Sequence, residues 1–129
     1  MPEPPRNGFQ YAIVRLLPSI ERGECLNVGV IVLCRPQRFL GARIALDEVR
    51  LAALAPGLDA ATVRPHLDAI ERIAAGDPSA GPIAQLGQAE RFHWLVAPSS
   101  TIIQVSDVHT GLCDDPTAEL DHLVATLVA

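Results

Sequence analysis

The side chains with chemical potential fall into three groups. Arg15 and Arg43 lie in two apolar, β-rich segments, and each guanidinium offers a planar fork of donors suited to a phosphate or carboxylate. Both project from one face of a meander if Arg15 stands opposite Val28 and Arg43 opposite Val30; a one-residue slip in either hairpin separates them. Arginines so placed either clamp an anion or pair with acids of a covering helix. The second group is Glu21-Arg22-Gly23-Glu24 with Asn27. Gly23 permits a turn, and Glu21 and Glu24 can divide acid and base roles only where their surroundings separate their pKa values. Otherwise they are a solvated hairpin tip.

The third group is His109-Thr110-Gly111-Leu112-Cys113-Asp114-Asp115. His109, Cys113 and Asp115 are ligand types that zinc accepts, but Gly111 implies a turn, an aspartate here is needed as a helix cap, and further ligands such as His93 would have to come from elsewhere. Cys113 has His109 four residues away as a base for a nucleophilic thiol, yet Asp114 and Asp115 beside it raise its pKa. An inert buried thiol is the expectation, for Cys34 also. His66 and His122 fall on polar helix faces, and Trp94 reads as core. Phosphate loops, dinucleotide fingerprints, zinc helices and GxSxG elbows are absent, and no motif calls for a cofactor.

The elements that position these residues follow from periodicity. Phe9 to Leu17 is aromatic and β-branched and stops at Pro18; Leu26 to Cys34 is apolar on both alternating sets, as in a central strand covered on both faces. After the turn Arg35 to Arg38, Phe39 to Leu46 completes a meander. Asp47 caps a short helix to Leu54, and Asp59 caps a longer one to about Ala75, with Val63, Leu67, Ile70 and Ile73 as its apolar stripe. Pro65 inside it predicts a kink or a late start. Gly76 to Gly87 reads as a loop with one turn at Pro82 to Leu86, then a short helix from Gln88 to Phe92. Trp94 to Ala97 and Ser100 to Val105 read as extended. Asp114 or Asp115 caps a last helix with Pro116 in its first turn and Leu120, Leu123, Val124 and Leu127 inward. This order predicts an α+β fold, an antiparallel or mixed sheet with helices packed on it, in one domain over residues 9–129 behind an unstructured arm of residues 1–8.

At 129 residues with 49% hydrophobic and 19% charged residues, the chain can bury a core. Cys25, Cys34 and Cys113 form an odd set without CxxC, which argues against a disulfide framework, and Cys25 and Cys34, at the ends of one strand, would lie roughly 30 Å apart. The apolar run Val28 to Cys34 is too short to span a membrane, and no secretory signal is visible, so a cytoplasmic location is expected. All ten basic residues are arginine. A net charge of −5 and a pI near 5.2 disfavour nucleic acid as a partner. The charge is uneven: residues 1–50 carry seven arginines against five acids, and residues 92–129 five acids and no arginine.

YAIVRLLP at Tyr11 to Pro18, ERGECLNVGVIVLC at Glu21 to Cys34, FLGAR at Phe39 to Arg43, HWLVAPSST at His93 to Thr101 and VHTGLCDDP at Val108 to Pro116 occur together. Over roughly residues 10–128 the chain resembles the bacterial family called domain of unknown function 3037. The resemblance implies no established activity. It implies an accessory or regulatory role beside kinase-like proteins of the HipA type, and family-like polar positions at Arg15, Glu21, Arg22, Gly23, Glu24, Asn27, Arg43, His109, Thr110 and Asp115. Ser99 departs from it, since relatives often carry arginine there. Two readings follow. One is a protein-binding module, in which a homodimer is an option and the sheet edge or the Arg15 and Arg43 face is the contact. The other is a small hydrolase or transferase for a phosphorylated or acidic molecule, with Arg15, Arg22, Asn27, Arg43 and Thr110 as anion ligands and Glu21, Glu24 and His109 as catalytic groups.

Overall fold

The computed structural model describes residues 6–19, 21–98 and 101–128. Strands β1 (Asn7–Ser19), β2 (Glu24–Cys34) and β3 (Phe39–Ile44) form the expected meander. Two short strands, β4 (Ile103–Val105) and β5 (His109–Cys113), pair antiparallel with successive parts of the free side of β1. The helices are α1 (Glu48–Leu54), α2 (Ala60–Ala75), α3 (Gln88–Val96) and α4 (Pro116–Leu127). The fold is α+β, built on a five-stranded antiparallel sheet.

Burial on both faces fixes β2 at the centre. Val28, Ile31 and Leu33 join Leu51, Val63, Leu67, Ile73, Phe92 and Leu95 in a core under α1, α2 and α3. Val30, Val32 and Cys34 join Phe9, Cys113, Leu120, Leu123 and Val124 under α4. Continuous burial from Val28 to Cys34 is what an unbroken apolar run requires of a strand. Capping sets the helix starts: Asp47 accepts from the amides of Val49 and Arg50, Asp59 from that of Ala61, and Asp115 from those of Thr117 and Ala118. Gly76, with φ of 73°, ends α2.

Several expectations need correction. Asn7 and Gly8 belong to β1, which also runs on through Pro18 to Ser19, so the strand begins inside the expected arm. There is no late start at Pro65: α2 begins at Ala60, because the Asp59 cap and the burial of Val63 and Leu67 outweigh one lost hydrogen bond. Pro78–Ala80 forms a 3-10 turn in addition to that at Pro82–Gln85, held by Asp77, whose carboxylate accepts from the amide of Ser79. Trp94 to Val96 is helical, not extended, since α3 buries Phe92 and Leu95 at i and i+3 against the sheet. The stretch around Gly111 is strand β5, not a turn. Gly111 is required there because the Phe9 ring lies 2.8 Å from where a Cβ would stand.

Candidate functional site

Arg15 pairs with Asn27, not Val28, because the register shifts by one residue between Val14 and Arg15 and leaves Val28 as the extra residue of β2. Val28 thereby turns to the α2 and α3 core with Val14 and Leu16. Arg43 stands opposite Val30 as expected. Arg15 and Arg43 consequently share the α4 face, but in different states. Arg43 forms an ion pair with Asp121 of α4, the structural role open to either arginine. Asn27 is also engaged with that helix, donating from Nδ2 to the Leu127 carbonyl oxygen at 3.1 Å.

Among the described residues Arg15 has no such partner. It is half-buried between Asn27 of β2 and Gln104 of β4, and its Nε is shut off from solvent without an acceptor. An arginine Nε–H in that state is an open hydrogen-bonding position, since buried donors in folded proteins are satisfied almost throughout. On the same face, Ile13, Tyr11 and His109 continue the strip, and the His109 ring packs on that of Tyr11 at 5.2 Å between centroids.

The expected catalytic groups are not brought together. Glu21 and Arg22 are exposed at the β1–β2 hairpin tip, where Gly23 takes φ of 70° and Arg22 pairs with Glu24. Glu24 lies opposite Ser19 and His109 opposite Tyr11, eight residues away along β1, which is roughly 26 Å. Thr110 is exposed and paired with Gln10, so it points to the opposite face from Arg15. The weak metal candidates also fail to converge: Cys113 is buried under α4, His109 is exposed four residues earlier, and Asp115 caps α4. Among the described residues no group of three or more His, Cys, Asp or Glu side chains is placed to hold a metal ion. Burial, then the neighbouring Cys34, push the Cys113 thiol up to about 11, so it is protonated and unreactive at neutral pH. Ser99 lies outside the described residues.

What sequence reasoning missed is the free side of the sheet. A buried serine joins β4 to β5: Ser106 Oγ accepts from the Ile13 amide at 2.8 Å and donates to the Asp107 carbonyl oxygen, while the Ser106 amide donates to the Ile13 carbonyl oxygen. Three residues, 106–108, face two on β1, so the strand bulges there before β5 resumes. Among the described residues β5 pairs with β1 alone, leaving its other edge open. Beside that edge Leu112 is 62% exposed and Val108 38% exposed. His-Thr-Gly-Leu-Cys shows no polar–apolar alternation, so no periodic signal marked this strand, and reading Gly111 as a turn hid it further. No helix among the described residues is long and apolar enough to cross a membrane.

The architecture thus defines an α+β protein with one sheet between unequal helical layers. The family described as "Protein of unknown function (DUF3037)" matches residues 11–128, and the chain belongs to it. No curated protein and no solved structure matches the chain.

Proposed function

We propose that this chain is a protein-binding module, acting in the cytoplasm, which docks by adding an extended segment of a partner to the open edge of β5. One observation carries the reading: His109–Cys113 has an open outer edge and no residue of fixed charge, with Leu112 exposed beside it. Natural edge strands are commonly blunted by charge or proline against such pairing. Main-chain hydrogen bonds along an edge supply affinity, and alternate side chains supply specificity.

Charge favours a different chain over a second copy. Asp107 precedes β5, and Asp114 and Asp115 follow it. Antiparallel self-pairing centred on Gly111 would set Asp107 of each copy against Asp115 of the other, and like charges directly opposite destabilise a strand pair. The segment favoured is neutral and β-forming at its centre and basic at its ends. A kinase-like companion, as the family resemblance implies, would satisfy this if it presents such a segment. The dispersal of Glu21, Glu24 and His109 weighs against the enzyme reading.

Native mass spectrometry of the protein purified gently from its host tests the proposal. The expected spectrum holds the chain with a second polypeptide, and Leu112→Lys, at an exposed position, releases that polypeptide without unfolding the chain. Retention of the same polypeptide by Leu112→Lys, or a bare monomer from the unsubstituted chain, would sink the idea.

A further inference from the structure

On the other face of the sheet, α2, the last turn of α3 and β4 line an open cleft of about 700 Å³. Val63 and Ile70 of α2, Leu95 of α3 and Ile103 of β4 supply apolar lining, and Trp94 and His66 line it from α3 and α2. Three observations set this cleft apart from an ordinary surface groove. First, Trp94 is the chain's only tryptophan and is 51% exposed, although Phe92 and Leu95 of the same helix are buried. A large aromatic left in water beside a cleft is a ready stacking surface. Second, the chain has ten arginines and fifteen acids, yet among the described residues none of them lines the cleft. An ionised ligand would lose water there and meet no carboxylate or guanidinium, a cost that selects against it. Third, among the described residues His66 makes no hydrogen bond or ion pair, so its imidazole is a polar group free to orient a ligand.

An apolar floor with a few polar groups is the usual build of a small-molecule site, and the volume lies within the roughly 300–1,000 Å³ such sites occupy. We propose that the cleft binds an uncharged, flat, largely apolar small molecule that stacks on Trp94 and hydrogen-bonds to His66. The site lies on the opposite face from Arg15 and does not depend on the β5 edge.

Nile red, an uncharged planar dye, is a suitable probe, because Trp94 is the sole indole and reports its approach by loss of emission through energy transfer. Saturable one-to-one binding with quenching of Trp94 is expected. Ile70→Arg, which puts a charge into the lining, should weaken binding at least about ten-fold. His66→Ala, at an exposed position, should weaken it several-fold with the thermal midpoint unchanged. Absence of saturable binding, a stoichiometry above one, or full affinity in a folded Ile70→Arg would overturn the assignment. Should Ile70→Arg fail to fold, Trp94→Ser decides through the dye's own emission: weaker binding supports the site, and unchanged affinity overturns it.

Discussion

Replacing Arg15 by methionine separates a structural arginine from one held ready for a partner. Arg15 Nε is buried without an acceptor, and an unsatisfied buried donor costs roughly 1–3 kcal/mol. Methionine keeps much of the apolar stem that packs against the sheet and removes the guanidinium. Because Arg15 is only partly out of water, the lower end of that range applies, so Arg15→Met should stabilise the fold by about 1 kcal/mol. For a domain of this size that raises the thermal midpoint by about 3–5 °C. Differential scanning calorimetry and urea unfolding, with m unchanged, are the assays. Arg43→Met should instead lower the midpoint slightly, since it removes a half-exposed ion pair with Asp121 worth less than about 1 kcal/mol. A fall in midpoint for Arg15→Met comparable to that for Arg43→Met would refute the reasoning and make both arginines structural.

Other outcomes follow from the same contacts. Gly29→Ala would put a Cβ 2.8 Å from the Arg43 carbonyl oxygen and should destabilise by about 1–3 kcal/mol, whereas Gly8→Ala, with open space at its Cβ, should be neutral or stabilising by up to about 1 kcal/mol in urea titrations. Asp115→Ala removes the cap of α4 and should cost about 1 kcal/mol by the same assay. Iodoacetamide should label exposed Cys25 in the native protein and reach Cys34 and Cys113 only on unfolding, which peptide mass mapping reads. Since Cys113 is raised from 9.0 to about 11, the folded state holds its proton longer than the unfolded chain. Its contribution is therefore intact below pH 9 and is lost as pH climbs to about 11, a decline of about 2–3 kcal/mol that Cys113→Ala should abolish in unfolding titrations.

The meander, the caps Asp47, Asp59 and Asp115, and the two-sided burial of β2 were legible because each rests on local chemistry: apolar periodicity, a carboxylate before a helical run, a proline or glycine at an end. The misreadings share a different origin. The scarcity of aromatics, 4% of the chain, points to Trp94 as core, but only the packing of α3 decides that Phe92 and Leu95 turn inward and Trp94 outward. Gly111 looked like a turn because its true constraint, the Phe9 ring, comes from a strand a hundred residues earlier. The bulge at Val28 was equally invisible. It moved the partner of Arg15 from Val28 to Asn27, yet kept Arg15 and Arg43 on one face. Of the candidate polar residues, the sequence could not distinguish Arg43, engaged by Asp121, from Arg15, whose Nε finds no acceptor among the described residues, because that difference depends on where α4 lies.

The docking edge is tested most directly by hydrogen exchange of the β5 amides in the presence of two nine-residue peptides. Each has an alternating threonine and valine centre, flanked in one by arginine pairs and in the other by aspartate pairs. The account predicts that the arginine-flanked peptide slows exchange within His109–Cys113 and binds at least about ten-fold more tightly than its acidic counterpart at low salt, with the preference fading as salt is raised. Unchanged exchange in β5, or equal binding of the two peptides, would contradict it.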